Sequence, residues 1–558
     1  MVSSDKWVVQ LVIDQCVAHG VNTFVFSPGS RNAPFAIAVS NHESLESYII
    51  HDERSAGFFA IGLSEKNNAP VALCCTSGSA VTNYFPSITE AFYRNIPLVI
   101  ISADRPSAWI NQGDGQTIRQ VGLFKEFVLY DCHLEDSPLT NTTQWQYQRE
   151  TALLFSKVTG PSKGPVHINV GLNEPLYQQV EKSQDLSRRI HLITNSTLKE
   201  KDLEPILQAI ESKKTMVLCG QMPSNPKLQE SLATFSQRSN VAVLVENTSN
   251  LQFNRFNACV DRSLACLPED LVKEYQPEIL LSIGGAVVSK KMKEFLRSSP
   301  LEMHLKVGFH FPLMDTFQQL SHSYICDPID FFNQLNVSAP NAPLSNYFEK
   351  WKHLDNRGKD LLSLFKPETN QLTDFKVYQI LMSTLDSNST LHMGNSSVIR
   401  YCQLFDPILG CNYFANRGTS GIDGSMSTAF GYAINDDRIN VIVVGDISFL
   451  YDSAALQMEG IPSHVKIIII NNQGGGIFRI ISGSRDSPQL EKYFEAQHDH
   501  TGSFAAAFGW QYTSVATTEE LTVVLPAVLS SKTKSILEIR TQREINPMVF
   551  HDFYNSLK

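Results

Sequence analysis

Between Asn440 and Phe478 the chain reads NVIVVGDISFLYDSAALQMEGIPSHVKIIIINNQGGGIF. Two short apolar runs in this stretch, Val441–Val444 and Val465–Ile470, are rich in β-branched residues. That pattern suits strands of a parallel sheet covered on both faces. Each run ends in residues that a buried strand does not need: Gly445-Asp446 after the first, Asn471-Asn472 and three glycines after the second. Ligands of open α/β sheets sit just beyond the carboxyl ends of the strands, where both polar clusters fall. A carboxylate, a side-chain amide and a glycine-rich backbone make an all-oxygen set suited to a hard cation such as Mg²⁺, or Mn²⁺ in its place. Two ordinary strand-end turns would also use Gly, Asp and Asn.

A chain of 558 residues is too long for one core, and domain sizes suggest three or four units. Strand, polar turn and helix alternate from the start, as in a parallel α/β layer. Strands are expected at Val21–Phe26, Tyr48–Ile50, Val71–Cys75, Leu98–Ser102 and Pro165–Val170, with a small-residue helix from Ser55 to Leu63. A second series has strands at Thr215–Leu218, Val241–Val245 and Ile279–Ile283, and a third adds Thr390–Met393 and Ser535–Arg540 to the opening pair. Polar stretches at about 181–200 and from Pro340 to about Lys359 read as linkers. The fold class is therefore α/β with three domains, 1–180, 196–338 and 355–558, each a parallel sheet flanked by helices. Strand-end loops of similar composition, SPGSR and TSGSA in the first and MGNSS and GDIS in the third, suggest that these two share a fold.

Composition narrows the partners. A net charge of −10 argues against nucleic acid or an anionic membrane surface, and any anionic substrate then needs a locally basic pocket. The first residues offer no basic segment followed by an apolar run, so neither a signal peptide nor a membrane span is expected. Ten cysteines at irregular spacing form no zinc or disulfide pattern, and cytoplasmic thiols are the simple reading.

The Gly-Asp pair and the following Asn-Asn resemble the metal–diphosphate motif of thiamine-diphosphate enzymes, although Ile447 stands where the commonest form has a second glycine. The resemblance implies thiamine diphosphate as cofactor, with Asp446, Asn472 and the Gly474 carbonyl on the metal. Such a cofactor needs a carboxylic acid at its pyrimidine ring. Glu53, in HDERSA ahead of the small-residue helix, matches the catalytic glutamate of these enzymes; by itself it would read as a helix-start acid.

Eight blocks in order then extend the resemblance: SPGSRNAPFAIA, HDERSAGFFAIGL, TSGSAVTNYFPSITEA, ISADRP, QTIRQVGLF, GNSSVIR, NRGTSGIDGSMSTAFG and NNQGGGIF. Together they are similar to the family of thiamine-diphosphate carboligases that join 2-oxoglutarate to isochorismate in menaquinone biosynthesis. Membership implies a homodimer or dimer of dimers, with each active site between the pyrimidine domain of one subunit and the diphosphate domain of its partner. It implies decarboxylation of 2-oxoglutarate and 1,4-addition of the resulting carbanion to isochorismate. By the same resemblance Ser77, Gly78, Ser396, Gly421, Ile422, Ile447, Ser448, Gly476, Ile477 and Phe478 face the cofactor, Ile422 as the apolar wedge that bends it.

Both substrates are dianions, and the matching blocks supply the cations Arg31, Arg105, Lys290, Arg400 and Arg417. An arginine fork meets a carboxylate with two parallel hydrogen bonds, an attraction on the order of 4 kcal/mol at an effective dielectric near 20, before desolvation. Ser30, Gln116, Asn395 and Ser396 would add neutral hydrogen bonds, and Phe478 and Ile481 an apolar wall that a core role explains equally well. Asp114-Gly115 departs from the family's usual Ala-Asn ahead of the glutamine, which places an acid where an amide is common. Two other readings stay open: a thiamine-diphosphate enzyme acting on another 2-oxo acid, against which the five cations argue, and a non-catalytic scaffold. A scaffold would have no need of Glu53, Asp446 and Asn472 together.

Overall fold

The computed structural model describes every residue except 1, 183, 191–197, 339–344 and 482. It contains three six-stranded sheets whose strands pair in parallel. The first holds β1 (Thr23–Phe26), β2 (Glu46–Ile49), β3 (Val71–Cys75), β4 (Leu98–Asp104), β5 (Asp131–Glu135) and β6 (Val166–Gly171), in the spatial order β2-β1-β3-β4-β6-β5. The middle sheet has β7 (Thr215–Cys219), β8 (Val241–Val245), β9 (Phe256–Asn257), β10 (Ile279–Ile283), β11 (Met303–Val307) and β12 (His322–Tyr324), in the order β9-β8-β7-β10-β11-β12. This is the order of a dinucleotide-binding fold. The third sheet has β13 (Ser389–Met393), β14 (Asn412–Phe414), β15 (Ile439–Gly445), β16 (Val465–Asn471), β17 (Gln511–Val515) and β18 (Ser535–Arg540). Its order, β14-β13-β15-β16-β18-β17, repeats that of the first sheet strand for strand. The kinship suggested by the strand-end loops is thus visible in topology.

The strands form where β-branched runs can be covered on both faces. Val441–Val444 and Ile467–Ile470 are all 2% exposed or less. Each such side chain contributes roughly 1.5–3 kcal/mol on burial. Edge strands behave differently: β2 is mostly exposed, and β5 alternates half-buried with buried residues. That alternation, with charged residues at both ends of DCHLE, is why β5 is not evident as a strand in the sequence.

By compactness the chain forms two units. One comprises Met1–Thr194, Gly418–Asp437 and Tyr451–Pro462; the other comprises Asn195–Arg417, Arg438–Leu450 and Ser463–Lys558. Each of the segments 1–180, 196–338 and 355–558 carries one sheet, but two stretches of the last pack with the first unit. In that unit the helix Glu53–Asn67 lies against the helix Ser425–Ala433. The approach is set by glycines: a Cβ on Gly62 would stand 1.9 Å from the Thr428 carbonyl oxygen, and one on Gly431 2.0 Å from that of Phe59.

The stretch from Pro340 to about Lys359 is not a linker where it is described. Tyr347–Leu364 is a helix, and it buries Tyr347, Phe348, Trp351 and Leu354 at helical spacing. Asp355 of that helix takes part in a buried ion-pair cluster with Arg262, which also reaches Asp406 at 2.6 Å. Part of the other expected linker, residues 183 and 191–197, lies outside the described residues; before it, Gln179–Glu181 pairs antiparallel with Val2–Ser4. Among the described residues no helix is long and apolar enough to cross a membrane.

Candidate active site

In the first unit three loops meet at the carboxyl edge of β1, β3 and β4. Arg31 is buried, and its backbone N–H donates to Thr76 Oγ1 at 3.2 Å. Its guanidinium donates to the Leu172 carbonyl at 3.0 Å and pairs with exposed Glu174 at 3.0 Å. Ser77 is buried and Ser30 exposed. Gly78, at φ +86°, lies against the Gln116 backbone, since a Cβ there would stand 3.1 Å from Gln116 Cα. Gln116 is itself exposed and left-handed, at φ +53°. Arg105 is half-buried; its Nε lies 3.3 Å from an Asp114 carboxylate oxygen, and Nη2 donates to the Gly115 carbonyl at 3.2 Å. The acid that departs from the family pattern therefore sits on one of the expected substrate cations.

Glu53 opens its helix next to Asp52, whose side chain caps the helix by accepting from Ser55 N–H at 2.8 Å. The Glu53 carboxyl is half-buried. Burial, and then the charge of Asp52, raise its pKa against the helix-start and Asn83 donors that oppose the shift. A carboxyl biased toward its protonated form at a strand end is what an acid catalyst requires. Gly421 and Ile422 are half-buried in the same unit, and Gly424, left-handed at φ +69°, has no room for a Cβ beside the Phe58 ring.

In the second unit the register of β15 and β16 sets Gly445 opposite Ile470, so that Asp446 and Asn471-Asn472 leave the sheet side by side. Asp446 is 5% exposed. One of its oxygens accepts from Ile447 N–H at 2.8 Å and the other from Gly474 N–H at 2.7 Å. His498 Nε2 lies 3.3 Å from the latter oxygen, and this acid raises the imidazole pKa. The Asn472 amide nitrogen donates to Asp374 at 3.1 Å, which turns its Oδ1 into the free end of the side chain. Gly474, at φ +102°, could not carry a side chain: its Cβ would be 2.3 Å from the Ala496 carbonyl oxygen. Among the described residues no group of three or more His, Cys, Asp or Glu could hold a metal. The set implied by the family motif would use one carboxylate, one amide oxygen and one main-chain carbonyl. That all-oxygen donor set, tied together by the Asp446–Gly474 bond, fits a divalent cation beside a diphosphate. Ser448 and Ile477 are buried and Ile447 and Gly476 flank them.

Also in this unit is a cavity of ≈ 810 Å³. Lys290, Lys291, Arg400, Arg485 and Lys558 make it basic, and Ile477, Ile480, Ile481 and Phe550 supply an apolar wall. Three residues expected at the substrate, Lys290, Arg400 and Ile481, are thus brought together, whereas Phe478 is not in the wall and packs against Phe494 at 6.1 Å. Arg417 donates to Asn395 Oδ1 at 2.7 Å, and the Asn395 amide donates to the Asn416 carbonyl at 2.6 Å. Ser396 follows at φ +75°, a strained conformation for a residue with a side chain. Family spacing favours Lys290 over its neighbour Lys291, but the cavity is lined by both, with the Lys291 ammonium 3.8 Å from the Tyr554 ring centroid; Arg485, which contacts His551 at 3.0 Å, is not indicated by the sequence. For Lys291 the signal was adjacency to Lys290; Arg485 and Tyr554 carry no motif.

The loop that leads to Lys290 is pinned by a buried acid. Glu246, just past β8, accepts from Val288 N–H at 2.8 Å and from Ser289 N–H at 2.8 Å. Burial outweighs these donors and pushes its carboxyl up to about 7. With a folded pKa above the ordinary 4.5, the folded protein holds this proton more tightly than the unfolded chain. The group's contribution to stability is then full below about pH 4.5 and lost as pH rises through about 7. Glu246→Gln cannot titrate, so its melting temperature should lie further below the parent's at pH 5.5 than at pH 8.5. An equal gap at both pH values would show that Glu246 does not titrate in this range.

Residues 6–123 match the family described as thiamine pyrophosphate enzyme, N-terminal TPP binding domain. With three parallel sheets flanked by helices, that match defines a thiamine-diphosphate enzyme. The chain is similar to the 2-succinyl-5-enolpyruvyl-6-hydroxy-3-cyclohexene-1-carboxylate synthase of Christiangramia forsetii, at 38% identity covering 99% of both chains. It is 37% identical to that of Flavobacterium johnsoniae over 98% of both. With that of Porphyromonas gingivalis the identity is 34%, over 99% of this chain and 97% of the relative. The chain belongs to the 2-succinyl-5-enolpyruvyl-6-hydroxy-3-cyclohexene-1-carboxylate synthase family.

Proposed function

We propose that the protein decarboxylates 2-oxoglutarate and adds the resulting four-carbon unit to isochorismate, giving 2-succinyl-5-enolpyruvyl-6-hydroxy-3-cyclohexene-1-carboxylate and CO₂ in menaquinone biosynthesis. The observation that carries this reading is the second unit's cavity, with a basic side for carboxylates and an apolar side for a ring. It answers the requirement that an acidic protein concentrate positive charge locally to hold a dianion.

Thiamine diphosphate, when bound, supplies the electron sink for decarboxylation and carbon–carbon bond formation. The protein's part is to bind, orient and move protons. Asp446, Asn472 and the Gly474 carbonyl hold Mg²⁺ or Mn²⁺ against the diphosphate. Glu53 would hold the proton that the pyrimidine ring requires, and Ile422 would be the apolar wedge against the cofactor. Ser77, Gly78, Gly421, Ile447, Ser448, Gly476, Ile477 and Phe478 line the cofactor. Lys290, Arg400 and Arg417, with Arg31 and Arg105, meet substrate carboxylates; Ser30, Gln116, Asn395 and Ser396 add hydrogen bonds, and Ile481 packs on the ring. The reading includes a homo-oligomer, dimer or dimer of dimers. It also includes a cytoplasmic place of action, which suits ten buried cysteines with free thiols.

Loss of isochorismate absorbance in the presence of 2-oxoglutarate, thiamine diphosphate and Mg²⁺ tests the proposal directly. Consumption of pyruvate alone, with isochorismate untouched, would overturn it. Arg400→Ala and Arg417→Ala should each lower kcat/KM by roughly 30-fold or more, because an unpaired buried charge costs about 2–5 kcal/mol. Cofactor affinity should change far less. Parent-level kcat/KM for both substrates in either variant would remove that arginine from the pocket.

A further inference from the structure

Behind the loops of the first unit lies a run of buried polar side chains that the reaction does not use. Asp131 and His133 on β5, His167 and Asn169 on β6, and Ser102 and Asp104 on β4 face one another in register. Gln120 joins them from the loop after Gln116. Ser102, His167, Asn169 and Gln120 have no exposed surface.

The directions of the bonds can be assigned from one end. The backbone N–H of Gly78 can only donate, and it does so to Gln120 Oε1 at 2.9 Å. The Gln120 amide nitrogen is therefore the end that donates to Asn169 Oδ1, at 3.0 Å. Asn169 in turn donates from Nδ2 to Asp104 Oδ2 at 2.8 Å, and Asp104 Oδ1 accepts from the Arg105 N–H at 2.8 Å. Ser102 lies 2.7 Å from the same Asn169 oxygen and must donate to it. Its single hydrogen is then spent, so the 2.7 Å contact with His167 Nε2 is a bond that the histidine donates. His167 Nδ1 faces Asp131 at 2.6 Å. His167 Nε2 is thus the nitrogen that carries the hydrogen donated to Ser102. The three side chains resemble a Ser-His-Asp triad, but with the polarity reversed and the hydroxyl sealed from solvent.

We propose that Gln120 and Asn169 are positioning residues for the reaction, holding the Thr76–Gly78 loop and the Asp104-Arg105 turn in one orientation through a directed hydrogen-bond chain that runs from the Gly78 N–H to the Asp104 carboxylate and is joined at Asn169 Oδ1 by a branch donated from His167 through Ser102. The proposal rests on the function given above for the kinetic effect, though not for the bond directions. Reversing any link would set an acceptor against an acceptor inside a site that water cannot reach, and that arrangement is costly. The titratable groups at this chain also include Asp104, whose carboxyl burial pushes up to about 6, His133, 3.1 Å from Asn169 Nδ2, and Glu135, 3.0 Å from His133.

Two variants separate a donated bond from filled space. Gln120→Met keeps length and loses the donor at every pH; kcat/KM for 2-oxoglutarate should fall about tenfold, mostly through KM, equally at pH 6 and pH 8.5. Gln120→Glu can donate only when protonated, so its deficit should close as pH falls. Parent-like kinetics in the Glu variant at all pH values, beside a defective Met variant, supports the same conclusion, because the donor is then retained. Gln120→Met within twofold of the parent, or equal pH-independent losses in both variants, would overturn the proposal. Nitrogen-15 imidazole spectra of the parent protein, assigned through His167→Gln, need neither activity nor a folded Gln120 variant. His167 Nε2 should carry a hydrogen; a bare Nε2 would refute the bond directions. An inactive parent with a protonated His167 Nε2 would fault the proposed reaction and leave the chain intact.

Discussion

Asp446→Ala is expected to abolish binding of thiamine diphosphate, with affinity reduced by more than about 100-fold. Two losses coincide in this change. The carboxylate is the one anionic ligand in the proposed metal set, and without a cation a diphosphate and the acidic strand end repel each other. The same carboxylate also accepts the Gly474 N–H and so fixes the glycine loop that would supply a second ligand. Asp446→Asn separates the two effects, since it can still accept that bond but lacks the charge. Calorimetric titration of the parent should show binding with Mg²⁺ and none in its absence, and both variants should fail with Mg²⁺. Undiminished affinity in Asp446→Ala would remove the metal assignment.

Glu53→Gln should lower kcat by about 10²-fold or more, the usual scale for a positioned acid–base group. The amide keeps the size of the side chain and one hydrogen bond but has no proton to give the pyrimidine ring. Burial and then Asp52 raise the Glu53 pKa above the ordinary carboxylate value, the direction an acid needs. Cofactor binding should weaken much less than turnover. Proton–deuterium exchange at C2 of the bound cofactor isolates the step from both substrates. Exchange as fast as in the parent would mean that another acid does this work.

What could be read from the sequence follows from where the information lies. Val71–Cys75, Val241–Val245 and Ile279–Ile283 are strands with the bounds their composition indicates, because each is an almost wholly apolar run buried on both faces; Ser535–Arg540 also has the expected bounds, with Arg540 exposed. Edge strands such as Gln511–Val515, exposed or half-buried up to Ser514, have no such run to betray them. The helix Tyr347–Leu364 was hidden by its charges, although Tyr347, Phe348, Trp351 and Leu354 mark its buried stripe. Strand-end motifs point to Asp446, Asn472 and Arg400 because chemistry and turn formation ask for the same residues. Arg485 and Tyr554 reach the cavity only through tertiary packing, and the partners of Gln120 emerge only when β4, β5 and β6 lie in register.

The glycine contact between the helices Glu53–Asn67 and Ser425–Ala433 also bears on how the chain is made. During synthesis the first of these helices leaves the ribosome long before the second exists. At roughly 5–20 residues per second, the interval from Asn67 to Ser425 lasts on the order of 20–70 s. Through that time the small-residue face of Glu53–Asn67, with Phe58 and Phe59 beside it, has nothing to close upon. A nascent chain halted before Ser425 would therefore present a sticky, chaperone-binding surface where the finished protein has one of its tightest backbone contacts.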